Sequence, residues 1–359
     1  MTSKYSTYIF LILSALIWGA ATPIIRATVQ SIPPLTFLML RFWITSVFCI
    51  PAAFFILRNV KLDLKRFVLI FKAALLGHVL ALIFIFIGLT KIASIEGSLI
   101  TTFSPIMVMI LGFFLLRENI NRKEIEGSLL AFLGAVLIVF EPFITGSSIF
   151  GDQKMSFIGS LLFLIGVILD ATYTIYVKKN ISEDRLITPF IQIIFSFCFA
   201  AIIFTLLGFS EQFYLYKTQP LEQTKSCTQT DIDKYNYSKG ISCDEKGCSD
   251  NKTPSEYYCI HKSYKLTFWA YFQAETSKYL KGNSIYGVLY MAIFSGIVAY
   301  TFYNIGLSRI EASEASVFYY LQPIFGIPLG MFLLNEHISL VFIASAILIT
   351  LGVFMVEKK

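Results

Sequence analysis

The sequence predicts an all-α integral membrane protein of ten transmembrane helices, arranged as two inverted five-helix repeats. Three observations predict it. Of the 359 residues 56% are hydrophobic and only 14% charged, whereas a soluble domain keeps about 25% charged residues to solvate its surface. The apolar residues fall into ten runs, each near the ~20 residues of helix that a hydrocarbon core about 30 Å thick requires. The third observation is a duplication: at an offset of 218, seventeen of the forty residues in 81–120 are identical to those in 299–338.

The ten runs lie at about 7–26, 35–57, 67–90, 95–116, 124–141, 156–178, 188–208, 285–308, 312–334 and 339–356. The first follows Lys4 and is too long for the core of a cleaved signal peptide, so it reads as a retained helix. With a cytoplasmic N-terminus, fourteen basic residues fall inside: Lys4, Arg58, Lys61, Lys65, Arg66, Arg117, Arg122, Lys123, Lys178, Lys179, Arg185, Arg309, Lys358 and Lys359. Three fall in the short outer loops: Arg26, Lys91 and Lys154. This asymmetry predicts both termini in the cytoplasm, in a cell (inner or plasma) membrane. The formal charge of +6 is therefore a topology signal and calls for no nucleic-acid partner.

Within the duplication, Glu96 pairs with Glu314, Pro105 with Pro323, Gly112 with Gly330 and Glu118 with Glu336. Apolar bias alone does not align prolines, glycines and glutamates. An odd number of spans per unit turns the second copy upside down, and inverted repeats of this kind place a solute site near the midplane between them. The first repeat spans 1–145 and the second 150–359. Placing the first two runs on the sixth and seventh takes an offset near 152, so about 66 residues are inserted, and they fall in 209–284.

That insertion holds Cys227, Cys243, Cys248 and Cys259. Four cysteines on the outer side predict two disulfides, with three connectivities open. Their spacing lacks the close Cys-x-x-Cys pairs of common zinc modules. Residues 264–281, with Phe268, Trp269 and Phe272, predict an interfacial amphipathic helix.

The candidate solute path comes from the duplicated prolines. Thr101 and Ser104 precede Pro105; Tyr319 and Gln322 precede Pro323. Proline removes a backbone donor and frees a carbonyl upstream, which a membrane tolerates where protein or a cavity satisfies it. A lined cavity and a packing kink with hydroxyls bonded back along the helix are both open. Trp18 and Thr22 on the first run, Tyr300 and Asn304 on the eighth, and Tyr173 on the sixth would add aromatic walls and hydrogen-bonding groups. Glu118 and Glu336 lie at helix ends and read as structural groups bonding backbone amides of the inter-helix turns.

Ionisable residues inside a span face a cavity or a partner as a rule. Here they are Arg41, His78 and Asp170. Arg41 reads as an outer anchor or an attractor of anions. His78 reads first as a buried hydrogen-bonding group. Asp170 lies roughly 20 Å from the outer face and 10 Å from the inner one at 1.5 Å per residue, too deep for so short a side chain to reach water. Proton or cation coupling is one reading for it; a bond to Tyr173 or a neighbouring helix is the other.

The layout resembles the drug/metabolite transporter superfamily, in its EamA-like branch of ten-helix carriers. The resemblance rests on Ala15-Leu-Ile-Trp18-Gly19, on Leu40-Arg41-Phe42, and on the paired endings Phe-Phe-Leu-Leu-Arg-Glu118-Asn-Ile and Met-Phe-Leu-Leu-Asn-Glu336-His-Ile. It implies a secondary transporter for an amino acid, nucleotide-like or drug-like solute, with proton-coupled export or exchange by alternating access. The expected partners are a small-molecule substrate, protons and membrane lipid. No cofactor or metal set is predicted, and there is no phosphate-binding Gly-x-x-x-x-Gly-Lys-Ser/Thr loop. A receptor or scaffold using the cysteine-containing loop is the alternative. A membrane-embedded enzyme is weaker, because His78, His261 and His337 stand in three separate environments.

Overall fold

The structure is a computed structural model and describes residues 4–118, 122–145, 153–218, 222–224, 243–244, 247–248, 263–265 and 267–357. Ten long helices follow one another among the described residues. The first five are α1 (Lys4–Val29), α2 (Pro34–Asn59), α3 (Leu64–Leu89), α4 (Ser94–Leu116) and α5 (Arg122–Val139). The second five are α6 (Gln153–Glu183), α7 (Pro189–Thr218), α8 (Ser284–Leu307), α9 (Ala312–Leu334) and α10 (Leu340–Glu357). Eight are long and apolar enough to cross a membrane, while α5 and α10 carry shorter apolar stretches. Each coincides with one of the ten apolar runs.

The outward faces are apolar, as lipid requires. Phe332 is 82% exposed and its counterpart Phe114 is 72% exposed. The polar residues go inward: Arg41, His78, Ser98, Ser104, Asn304 and Gln322 are buried.

The residues divide into two compact units, one of 1–209 with 282–359 and one of 210–281. In the second, β1 (Glu222–Thr224) pairs antiparallel with β4 (Ser263–Lys265), and β2 (Cys243–Asp244) pairs with β3 (Gly247–Cys248). The register sets Cys243 opposite Cys248. Cys227 and Cys259 lie outside the described residues, and the disulfides expected here are not seen among the described ones. A helix covers Phe268–Lys281, within the stretch expected to be amphipathic; it buries Tyr271 and Tyr279 and exposes Trp269.

In the first unit, α1 packs along α8 and α9, α6 packs along α3 and α4, and α5 packs on α10. The leading helix of each repeat thus lies against the other repeat. Four helices are irregular, in matching pairs. A π-helical turn spans Leu75–Ala81 in α3 and Tyr290–Val298 in α8. A 3-10 turn spans Thr101–Phe103 in α4 and Val317–Leu321 in α9, just before Pro105 and Pro323. Proline withdraws an amide from the ladder, and the tighter turn upstream absorbs the change.

The repeats clasp each other reciprocally. The Ala312 and Ser313 amides donate to the Glu118 carboxylate at 2.9 and 3.2 Å. The Ser94 and Ile95 amides donate to Glu336 at 2.7 and 2.9 Å, and the Ser94 hydroxyl adds 2.7 Å. At the offset of 218, Ser94 and Ile95 are the counterparts of Ala312 and Ser313, so exchanging the repeats maps one contact onto the other. The amides bonded are not those of the glutamate's own turn. Instead, each caps the first helical amides of the opposite repeat, where free N–H groups and the helix dipole favour a carboxylate.

The duplicated glycines make room for this. A Cβ at Gly112 would stand 2.9 Å from a Glu118 carboxylate oxygen, and one at Gly330 would stand 3.0 Å from that of Glu336. Arg117 and Asn335, directly before the glutamates, turn the chain back with φ of 59° and 51°.

Candidate functional site

Between these helices lies a cavity of about 90 Å³. One wall is Trp18, Ala21 and Thr22 of α1, Arg41 of α2, Ser295 and Tyr300 of α8, and Tyr319 and Gln322 of α9. The other is Leu82 and Ile85 of α3, Thr101 and Ser104 of α4, and Phe163, Val167 and Asp170 of α6. Pockets that hold metabolites measure roughly 300–1,000 Å³, so the cavity as it stands is small for a solute.

The two proline sites put Thr101, Ser104, Tyr319 and Gln322 here because the 3-10 turns aim the residues before each proline inward. Both readings of those turns hold in part. Thr101 and Thr102 donate back along α4 to the Ser98 and Leu99 carbonyls at 2.7 and 2.6 Å. The Ser104 hydroxyl has no hydrogen-bond partner among the described residues.

Trp18 anchors an aromatic corner. Its ring lies 4.9 Å from Tyr300, 5.2 Å from Tyr303 and 5.6 Å from Tyr319, the last stacked. Its indole N–H donates to the Ser295 carbonyl at 3.1 Å, an acceptor within the π turn of α8.

Two charges border the cavity. Arg41 is 1% exposed, so it does not extend to the outer water as an anchor would. Its Nε and Nη1 have no hydrogen-bond partner among the described residues. Asp170 accepts a hydrogen bond from the Tyr319 hydroxyl at 3.3 Å, which joins α6 to α9. No ion pair links Asp170 to Arg41 among the described residues.

His78, Tyr173 and Asn304 do not line the cavity. His78 is fully buried, with ring centroids of Tyr173, Phe197 and Tyr300 at 4.7–4.8 Å, and neither of its nitrogens has a hydrogen-bond partner among the described residues. It backs the wall through Tyr300. Of the two readings for Asp170, the bond to a neighbouring helix is the one seen, through Tyr319 rather than Tyr173.

Two of the basic residues counted for topology bond backbone carbonyls of a neighbouring helix end. Arg26 of α1 is 7% exposed and donates to the Leu89 and Thr90 carbonyls at 2.9 and 3.3 Å. Lys178 of α6 donates to the Leu307 and Ile310 carbonyls at 2.9 and 2.6 Å. The offset of 152 pairs Arg26 with Lys178, and that of 218 pairs Leu89 with Leu307. The same 152 pairs Trp18 with Asp170, so equivalent positions of α1 and α6 face the cavity with an aromatic ring and a carboxylate. The signal was in the sequence, but only as an alignment of unlike residues.

A profile of the EamA-like transporter family matches residues 5–140 and 265–357. The chain belongs to that family and is an integral multi-pass membrane transporter. It is 23% identical over 354 residues to an uncharacterized transporter of Archaeoglobus fulgidus, covering 98% of this chain and 99% of the relative. It is 29% identical over 177 residues to the uncharacterized transporter YetK of Bacillus subtilis, covering 49% and 52%. A solved crystal structure superposes with a TM-score of 0.57 at 16% identity, covering 99% of this chain and 97% of that one, a likeness of fold.

Proposed function

We propose that the protein is a secondary transporter that moves a small metabolite by alternating access, with the central cavity as its solute site. The observation that carries this is the cavity itself, which both repeats line and which sets Arg41 and Asp170 among aromatic rings and the Ser104 hydroxyl, which has no hydrogen-bond partner among the described residues. Burying a charge without a partner is costly. A solute with an anionic group would offset that cost at Arg41, and one with a cationic or proton-donating group would offset it at Asp170. The candidate path is Trp18, Thr22, Arg41, Thr101, Ser104, Asp170, Tyr300, Tyr319 and Gln322, with His78, Tyr173 and Asn304 supporting the wall. Asp170 is the coupling residue for a proton or cation, since it is the acidic group on this cavity.

The reading includes two inverted repeats, 1–145 and 150–359, in a cell membrane with both termini cytoplasmic. The reciprocal glutamate contacts support the twofold relation, and the basic residues of the loops support the orientation. The inserted segment is an outer accessory to transport with two disulfides.

Substitution of the path tests the reading. Ser104→Leu and Gln322→Leu each fill the cavity and are expected to cut solute uptake at least tenfold with membrane abundance near that of the parent. If both variants transport like the parent, the cavity is not the path.

A further inference from the structure

We propose that Arg26 with Glu336 at one end of the molecule, and Lys178 with Glu118 at the other, are two latches whose alternate release decides which end of the cavity opens. This rests on the alternating-access reading and adds the residues that control it.

The packing defines what the latches join. On one side α1 packs with α8 and α9, on the other α6 packs with α3 and α4, and the two sides also meet where α4 packs on α9. The cavity lies between them, and all four residues bridge them. Arg26 of α1 holds the carboxyl end of α3, and Glu336 at the end of α9 holds the amino end of α4. Both grip one connection, residues 90–93. Lys178 of α6 holds the end of α8, and Glu118 at the end of α4 holds the start of α9. Both grip the corresponding connection, residues 308–311.

Each charge has the sign its helix end requires. Carboxyl ends carry free carbonyls and attract cations; amino ends carry free amides and attract carboxylates. A connection between two helices shows both ends side by side, so an acid and a base from the opposite group grip it together. Such a grip is reversible. When an end opens, water solvates the separated groups, and the net cost of a hydrogen bond exchanged for water is small. An apolar seal would expose greasy surface instead. Both latches are made together in a conformation whose cavity is only about 90 Å³.

The equivalence is one of role rather than identity. Arginine in one repeat is lysine in the other, and the second acceptor is Thr90 in one and Ile310 in the other.

A cysteine at Ser104 reports which end is open. In membranes of each orientation, labelling by an impermeant maleimide is read as the difference from protein lacking the reporter. With Arg26→Gln and Glu336→Gln, labelling from the Arg26 side is expected to rise severalfold over the parent. With Lys178→Gln and Glu118→Gln, it rises from the other side. The conservative pair Arg26→Lys and Lys178→Arg keeps the parent pattern. As a measurement that leaves the four residues intact, a bis-maleimide bridge between cysteines at Thr90 and Asn335 should abolish labelling from the Arg26 side alone. Labelling from both sides that neither pair of variants nor the bridge shifts overturns the latches. Labelling from one and the same side in every variant, parent included, overturns alternating access itself.

Discussion

The Tyr319 hydroxyl donates to the Asp170 carboxylate across 3.3 Å and so ties α9 of one helix group to α6 of the other through the cavity wall. Tyr319 also stacks on Trp18 at 5.6 Å. A change at the carboxylate therefore reaches the aromatic corner through a single side chain. If Asp170 carries the coupling proton or cation, Asp170→Asn keeps an acceptor for Tyr319 and removes the charge. Accumulation driven by a pH gradient is expected to fall to the level of protein-free vesicles, while downhill exchange survives in part. Gradient-driven uptake with an unchanged pH profile would show that coupling resides elsewhere.

The inserted segment gives a second expectation. Impermeant thiol reagent added to intact cells should label Cys227, Cys243, Cys248 and Cys259 only after reduction. The register that sets Cys243 opposite Cys248 points to a peptide linked through that pair, which mass spectrometry of the unreduced digest detects. Labelling without reductant would contradict the disulfides.

Asp184, in the connection between α6 and α7, gives a third. The Leu186 amide donates to its carboxylate at 3.0 Å, and Arg66 lies at 2.7 Å. The backbone hydrogen bond first, and the guanidinium behind it, hold this carboxyl below the ordinary aspartate value. Its stabilising effect is present above the unfolded value of about 3.9 and is lost as pH falls through the folded one. The pair is partly exposed, so solvent screening keeps the effect small. Thermal melts in detergent between pH 7 and pH 3 should show Asp184→Asn slightly less stable at neutral pH, with the difference closing below about pH 4. A gap that widens on acidification would contradict the assignment.

Much of this was legible in the chain. Hydrophobic length alone located the ten helices, because lipid leaves a spanning segment no other way to satisfy its backbone. The proline pairs located the cavity, because a missing amide distorts the helix at a predictable place. The partners of Glu118 and Glu336 were not legible. A carboxylate at a helix end reaches free amides in its own turn or in a neighbour's, and only the way the repeats cross decides which. The backbone partners of Arg26 and Lys178 were not legible for a similar reason. Counted by position they are topology charges, and their common role emerges once Leu89 and Leu307 are seen to accept from them. Arg41 could not be placed by depth, since a long side chain reaches either water or a cavity from the same level.

The central claim is that this cavity carries a solute between the two faces. Counterflow in proteoliposomes tests it most directly. The purified protein is reconstituted, preloaded with amino acids, nucleosides or cationic dyes in separate batches, and offered the same labelled compound outside, with and without a pH gradient. The account predicts that at least one class exchanges at a rate well above protein-free vesicles and that Gln322→Leu abolishes the excess. Exchange that Gln322→Leu and Ser104→Leu leave untouched, or no exchange above protein-free vesicles in any class, would contradict it.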